Sequence, residues 1–211
     1  MTETVVRFFQ EGGFFMYPIA VILVIGLAIA LERWIYLSST KSSNRAAFDK
    51  GILPILRKRD YKSALKFAND SQTPIAAIMG AGLSRLVGGS RREEIEFAME
   101  EGLMETLPRL EKRTPYLATL ANVSTLLGLL GTIIGLIAAF TAVANADPAE
   151  KASLLSQSIS VAMNTTAFGL MAAIPLLLFH AVLQTKTNEI VDSFEMAGVK
   201  LLNMISDQTS N

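Results

Sequence analysis

Two long uncharged segments decide the fold: TPYLATLANVSTLLGLLGTIIGLIAAFTAVANA at residues 114–146 and ASLLSQSISVAMNTTAFGLMAAIPLLLFHAVLQT at residues 152–185. A transmembrane helix needs only about 20 apolar residues to cross the hydrocarbon core of a bilayer. Each segment is therefore long enough to cross it and to continue beyond it. A short polar turn at residues 147–151 joins them, so the pattern predicts an antiparallel pair of membrane helices.

A third apolar run, at residues 14–31, lies near the N-terminus. It is longer than the core of a usual secretory signal, only Arg7 precedes it, and no clear small-residue cleavage site follows it, so we interpret it as a retained span. The cations that follow the run are Arg33, Lys41, Arg45 and Lys50. This distribution predicts an outer N-terminus and a cytoplasmic central block, by the positive-inside rule.

The composition agrees with a membrane protein, because hydrophobic residues make up 51% of the chain and the mean hydropathy is +0.39. We predict an all-α membrane protein with three transmembrane helices, the second and third of which extend into a helical cytoplasmic domain. The predicted segments are an outer interfacial amphipathic helix at 1–13, a first transmembrane helix at 14–37, a cytoplasmic helical domain at 38–113, a second transmembrane helix with a cytoplasmic extension at 114–146, an outer turn at 147–151, a third transmembrane helix at 152–185, and a cytoplasmic C-terminal helix and tail at 186–211.

The central block contains signals for helix starts and stops and no strand pattern. Asp60 is placed to cap a helix through Asn69, and Pro74 to open a helix that runs to Val87. The Gly88-Gly89 pair then breaks the chain.

A further helix is predicted after this break. Ser90 and Glu93 have the spacing of a capping box, in which each side chain bonds the other residue's backbone N–H. We expect this helix to run into the second span, with kinks at Pro108 and Pro115 because each proline removes a backbone donor.

A stripe of small residues runs along the second span at alternating steps of four and three. It comprises Ser124, Gly128, Gly131, Gly135, Ala138 and Ala142. Small side chains let membrane helices approach closely. The stripe therefore predicts intimate helix packing. We expect its first five residues, Ser124, Gly128, Gly131, Gly135 and Ala138, to form contacts between subunits.

Hydroxyl side chains mark the interior of both long segments. Thr132 lies as far before Ala149 as Thr166 lies after it, so an antiparallel hairpin brings both hydroxyls to one depth. Thr125 lies one heptad before Thr132. In an isolated span, such hydroxyls usually bond their own helix backbone, and that alternative stays open for these threonines.

The third span carries an unusual density of polar groups. These are Ser156, Ser158, Ser160, Asn164, Thr165 and Thr166. Hydrogen bonds between helices are one explanation, and a polar lining for an ion path is another. Because neither span holds an Asp, Glu, Lys or Arg, another subunit must bring the ionisable group if protons move here.

Several other chemistries are absent from the sequence. The chain has no cysteine, and phosphate-cradling loops, zinc spacings and nucleophile motifs are missing, so we predict no catalytic residue, no metal site and no cofactor. The formal net charge is zero, which gives no indication of a nucleic-acid partner. The single histidine, His180, lies near the end of the third span and is interpreted as an interfacial polar residue.

The residues resemble one family, the MotA/TolQ/ExbB proton-channel proteins. The resemblance is strongest in GLLGTIIG at 128–135 and TTAFGLMAAIP at 165–175, and extends more loosely to GGFFMYPI at 12–19 and LERWIYL at 31–37. Three spans with an outer N-terminus look like the ExbB and TolQ branch. By this resemblance, Thr132 and Thr166 match the pore threonines of the family. The predicted proton-pathway lining is Thr125, Thr132, Asn164, Thr165 and Thr166.

The resemblance also implies partners and a function. It implies a homo-oligomer, a pentamer, around a dimer of an ExbD- or TolR-like single-span subunit that carries the proton-accepting aspartate. The implied function is a proton-channel subunit of a bacterial inner-membrane motor that drives TonB-dependent import, with a TonB-like protein as a further partner. The alternatives are envelope maintenance of the TolQ type and a motility stator. Thr125 and Val161 stand where typical ExbB and TolQ proteins have a proline and a glutamate.

Two other classes of function fit the sequence less well. A non-conducting scaffold would also use the small-residue stripe, but it would not need hydroxyls paired at one depth. A secondary transporter usually has internal repeats with broken helices around a substrate site, and no such repeat is visible.

The predicted orientation can be tested by cysteine labelling, because the native chain has no cysteine. A cysteine placed at Ala149 should react with an impermeant thiol reagent added outside intact cells, and one placed at Ser63 should not. The opposite labelling pattern would invert the topology.

Overall fold

In the computed structural model, residues 12–144 and 146–209 are described, with side chains described up to residue 206. All the regular structure in this part of the chain is helical. The elements are α1 (Met16–Ala46), a π-helical segment (Ala47–Ile52), α2 (Leu53–Arg57), α3 (Tyr61–Asp70), α4 (Pro74–Val87), α5 (Arg92–Glu111), α6 (Thr114–Ala144) and α7 (Lys151–Thr209). The interfacial helix predicted at residues 1–13 falls almost wholly outside the described residues.

Three helical stretches of the described chain are long and apolar enough to cross a membrane. They contain α1, α6 and α7, so the predicted all-α membrane fold with three spans is confirmed. α1 and α7 are longer than the predicted spans, since α1 continues to Ala46 and α7 to Thr209 without interruption.

The chain divides into two compact units. The first, here called the span unit, contains the chain up to Glu32 together with Arg113–Val182. The second, here called the helical unit, contains Arg33–Lys112 and the chain from Leu183 onward.

Within the span unit, α1 packs on α7 through a buried apolar cluster. The cluster joins Met16 and Ile19 of α1 to Phe168 and Ala172 of α7. Many large apolar side chains of α6 and α7 remain exposed, among them Leu126, Ile137, Phe140, Met171 and Leu178. Such a surface is expected where a helix faces lipid or a neighbouring membrane helix.

Within the helical unit, the predicted helix at Pro74–Val87 is present with these bounds, and its core side chains include Ile75 and Met79. Its start is fixed by Asn44 of α1, a buried side chain whose Oδ1 accepts a hydrogen bond from the Ile75 backbone N–H at 3.3 Å. Pro74 has no backbone N–H that would need a partner, and its fixed φ is preorganised for the first helical turn.

Asp60 caps α3 as predicted, with its Oδ1 3.0 Å from the Ser63 backbone nitrogen. Hydrogen bonds from the side chain and backbone of Ser63 lower the pKa of the Asp60 carboxyl. A carboxylate at this position also interacts favourably with the helix dipole.

The predicted capping box of Ser90 and Glu93 is wrong. α5 begins at Arg92, one residue later than a Ser90 cap requires, and no side chain caps it. The reason is that Ser90 completes the end of α4. Gly89 adopts a left-handed φ of 79°, and the Ser90 backbone N–H donates to the Arg85 carbonyl at 3.0 Å, which is the Schellman arrangement of a helix C-terminus.

The helix predicted to run from the central block into the second span is interrupted. α5 ends at Glu111 and α6 begins at Thr114, and Arg113 between them has a left-handed φ of 67°. Pro115 therefore lies in the first turn of α6, where a missing N–H is harmless, so the predicted kink there is also wrong. Pro108 does lie inside α5.

Arg33, at the start of the helical unit, holds the C-terminal end of α5. Its buried guanidinium donates to the backbone carbonyls of Arg109, at 3.2 Å, and of Leu110. The carbonyls of the last helical turn have no partner in their own helix, and a cation there also complements the helix dipole. The guanidinium lies 4.5 Å from the centre of the Tyr36 ring.

One contact in the span unit leaves no room for a side chain. A Cβ added to Gly169 of α7 would lie 2.7 Å from the Ser124 carbonyl oxygen and 3.0 Å from the Gly128 Cα. We expect Gly169→Ala to lower the free energy of unfolding by about 1–3 kcal/mol, because backbone atoms cannot move aside as a flexible side chain can.

Thermal unfolding of the purified protein in detergent measures this change. Gly80→Ala in α4 is the matched control, since its Cβ would meet only ordinary van der Waals contacts at 3.5 Å. Equal stability of the two variants would contradict the close approach of α6 and α7.

Candidate functional site

The backbones of α6 and α7 meet around Gly128 and Gly169. A Cβ added to Gly128 would lie 3.2 Å from the Gly169 Cα and 3.3 Å from the Thr166 Cα. A larger residue at this crossing would crowd backbone atoms of the facing helix, and the absence of side chains lets hydroxyls on one helix reach the backbone of the other. The small-residue stripe thus provides the geometry of a polar site inside an apolar unit.

Thr132 and Thr166 form a hydroxyl pair at this crossing. Their Oγ1 atoms are 2.8 Å apart, and the two side chains are half-buried. The Thr166 hydroxyl also lies 2.8 Å from the Gly128 carbonyl oxygen, across the helix interface. The Thr132 hydroxyl lies 3.2 Å from the same oxygen and 2.8 Å from the Leu129 carbonyl.

The hydrogen count makes this pair switchable. Each hydroxyl carries one hydrogen and two acceptor lone pairs, so the two hydrogens are shared among the Gly128 and Leu129 carbonyl oxygens and the two hydroxyl oxygens themselves. Either threonine can donate to the other while its neighbour donates to a backbone carbonyl. The Gly128 carbonyl also accepts the Thr132 backbone N–H in the regular helix pattern, so it keeps a partner when a hydroxyl turns away.

The other predicted pathway residues do not join this pair. Thr125 is half-buried, and its hydroxyl donates to the Ala121 carbonyl of its own helix at 3.2 Å. Asn164 is half-buried, and its position two residues before Thr166 places it on a different face of α7. A role for Thr125 and Asn164 in the pathway stays a prediction.

Thr165 has a different environment from Thr166. It is 2% exposed, and its Oγ1 lies 2.5 Å from the Gly12 carbonyl oxygen and 2.9 Å from the Val161 carbonyl oxygen. Its methyl group fills the space beside Gly131 of α6. The structure therefore surrounds Thr165 with the segment that precedes α1 and with α6, on the side of α7 that packs inside the chain.

The stripe on α6 packs within one chain over most of its length. Gly131 faces Thr165, and Gly135 faces Ala162 of α7. Ser124 is fully buried, whereas Ala138 is exposed. The predicted close packing is present. The assignment of the stripe residues Ser124, Gly128, Gly131, Gly135 and Ala138 to a contact between subunits stays a prediction, and among them Ala138 is exposed for such a contact.

The site lacks an ionisable group of its own. The sequence has no acidic residue between Thr114 and Ala144 or between Ala152 and Thr185. Among the described residues, no group of His, Cys, Asp and Glu side chains could hold a metal ion. His180 is half-buried on α7, fourteen positions beyond Thr166. A carboxyl group at the hydroxyl pair would have to come from outside these two spans.

The fold and the site define a class of protein: a multi-pass α-helical membrane protein with a paired-hydroxyl site between two of its spans. The sequence model of the MotA/TolQ/ExbB proton channel family matches residues 70–196. The chain belongs to this family. It is a proton-channel subunit of the ExbB/TolQ type in the inner membrane, and proteins of this kind are channel subunits rather than enzymes.

Individual relatives point to the same branch. The chain is 30% identical over 194 residues to a protein described as a biopolymer transport protein ExbB homolog of Methanothermobacter thermautotrophicus, covering 92% of this chain and 67% of that protein. It is 30% identical over 178 residues to a biopolymer transport protein ExbB-like 3 of Synechocystis, covering 83% of each. It is 36% identical over 97 residues to the Tol-Pal system protein TolQ of Haemophilus influenzae, covering 46% of this chain and 42% of that protein.

The environment of Thr165 predicts a structural effect of its substitution. Thr165→Val keeps the shape but leaves the buried Gly12 carbonyl without its hydroxyl partner, which costs about 1–3 kcal/mol. We expect a lower unfolding temperature in detergent, and recovery in Thr165→Ser. A loss of proton-driven output at unchanged thermal stability would instead place this hydroxyl in the proton pathway.

Proposed function

We propose that Thr132 and Thr166 form the proton-transfer site of this channel subunit, where they bind the carboxyl group of a partner helix. The observation that carries the proposal is the 2.8 Å pair of hydroxyls at a shared backbone carbonyl, in two spans without acidic residues. Polar groups inside a bilayer are expensive and usually serve function or packing. The switchable hydrogens of this pair favour function.

The chemistry of the pair suits a carboxyl that gains and loses a proton. A protonated carboxyl donates a hydrogen bond, and a lone pair of either threonine can accept it. A carboxylate only accepts, so a hydroxyl must turn toward it and leave its backbone carbonyl. Because the Gly128 carbonyl keeps its helical N–H partner, this rotation leaves no buried acceptor unpaired. The threonines therefore adjust to both charge states without carrying the proton themselves.

The proposed assembly follows the family. ExbB- and TolQ-type subunits imply an oligomer, which we propose is a pentamer, around a dimer of an ExbD- or TolR-like single-span subunit whose aspartate supplies the missing carboxyl. We further propose an outer, periplasmic N-terminus and a cytoplasmic helical unit, as the cations after the first span indicate. Passage of protons through the site would then do work in the cell envelope.

The work itself is proposed to be TonB-dependent import, with a TonB-like protein as a further partner. The relatives that match most of the chain are described as biopolymer transport proteins, which supports this choice. Envelope maintenance of the Tol-Pal type is the second candidate, supported by the match to TolQ over 97 residues. The identity of the partner subunit would distinguish the two.

Valine and serine substitutions test the site. Thr132→Val or Thr166→Val preserves shape but deletes the hydroxyl, and a hydrogen bond to a charged group contributes about 1.5–3 kcal/mol. We expect proton-driven output to fall about tenfold or more while the complex assembles normally. Serine at either position should retain more activity than valine.

Output and assembly are measured in parallel, by proton flux through the complex reconstituted with its partner and by native mass spectrometry. Thr119→Val is the matched control, because Thr119 lies in α6 with Thr132 and is exposed. Its hydroxyl bonds only the Pro115 carbonyl of its own helix, at 3.5 Å. Full output in both valine variants at normal complex levels would mean that these hydroxyls only pack.

A further inference from the structure

The helical unit contains an open apolar groove of about 380 Å³ between α4, α5 and the C-terminal part of α7. Its lining is Ile78, Glu96, Met99, Glu100, Leu103, Met104, Phe194, Glu195, Gly198, Val199 and Leu202. Met99 and Phe194 are buried in its floor, whereas Met104 is 72% exposed and Val199 is 51% exposed. Exposed apolar surface in a groove is typical of a docking site rather than of a free surface.

The rim of this groove is acidic. Glu96 and Glu100 on α5 and Glu195 on α7 are exposed, and no cation is among the lining residues. Within the described part of the chain, none of the three carboxylates takes part in an ion pair. The groove therefore favours an occupant that presents cations to its rim.

The same unit presents a matching cationic segment. The exposed cations at the turn before α3 and on α3 are Arg57, Lys58, Arg59, Lys62 and Lys66. None of them takes part in an ion pair with another described residue. Asp60 is the single acidic residue in this run, and it caps α3.

The spacing of the charges is complementary as well as their sign. Lys62 and Lys66 lie one helical turn apart on α3, and Glu96 and Glu100 lie one helical turn apart on α5. Four residues rise about 6 Å along a helix axis, so the two ammonium groups can meet the two carboxylates in register. The aliphatic stems of lysine also cover apolar surface, which suits the exposed Met104, one helical turn beyond Glu100.

We propose that the acidic groove of one copy of this chain binds α3 of a neighbouring copy. The groove and α3 are different patches, so each copy would use its groove toward one neighbour and its α3 toward the other. Contacts of this head-to-tail kind form a ring when the rotation between successive copies closes. The inference rests on the proposed homo-oligomer and adds the surfaces that join its subunits in the helical unit.

Charge reversal tests the pairing. We expect Glu96→Lys with Glu100→Lys, or Lys62→Glu with Lys66→Glu, to weaken the contact by at least about tenfold, because like charges then face each other. The variant that carries all four changes should recover assembly on native mass spectrometry, since attraction is restored with the sign exchanged. Thermal unfolding would show whether the two double variants and the fourfold variant are folded. If they are folded and the fourfold variant still does not assemble, the pairing is overturned.

Cysteine cross-linking tests the contact in the native charge state, because the chain has no cysteine of its own. Lys62→Cys is combined in turn with Glu96→Cys and with Glu100→Cys, and at least one combination should form dimers and higher species on oxidation. Lys62→Cys with Glu101→Cys is the control, since Glu101 lines a different cleft, with Arg85 and Phe97. Normal oligomers without cross-links would overturn the groove contact and leave the proposed function standing, whereas a monomeric parent protein would overturn both.

Discussion

The close approach of α6 and α7 at Gly128 and Gly169 is the constraint on which the functional site depends. A single added Cβ at either glycine would meet backbone atoms of the other helix. Two helices in a bilayer gain no hydrophobic stabilisation from each other, so contact at this distance relies on van der Waals packing and hydrogen bonds between them. The hydrogen bond from Thr166 to the Gly128 carbonyl exists because no side chain separates the two backbones.

This contact gives neighbouring threonines different roles. Thr166 faces Thr132 and the Gly128 carbonyl, whereas the next residue back, Thr165, faces Gly12 and is buried. One step along a helix rotates a side chain by about 100°, so two hydroxyls that are adjacent in sequence reach different surroundings. Thr166 bridges α7 and α6, whereas Thr165 holds the segment before α1 against α7.

The sequence was sufficient for the three spans, for the helix from Pro74 and for the paired hydroxyls. It was insufficient for the break at Arg113 and wherever a backbone carbonyl is the partner. Hydropathy and helix signals predict three spans and the helix from Pro74, and counting from the turn predicts that Thr132 and Thr166 lie at one depth. Backbone acceptors leave no mark in a sequence, so nothing predicts that Arg33 binds the end of α5 or that Thr165 binds Gly12. The capping prediction at Ser90 fails for the same reason, since that residue's amide belongs to the preceding helix end.

The central claim is that Thr132 and Thr166 act as one unit, and a double-mutant cycle on proton flux tests it most directly. Flux would be measured through the reconstituted complex for the native chain, for each valine variant and for the double-valine variant. Because the two hydroxyls share hydrogens and the Gly128 carbonyl, we expect the double variant to lose little more flux than the more damaging single variant. Losses that multiply as independent effects would contradict a shared site.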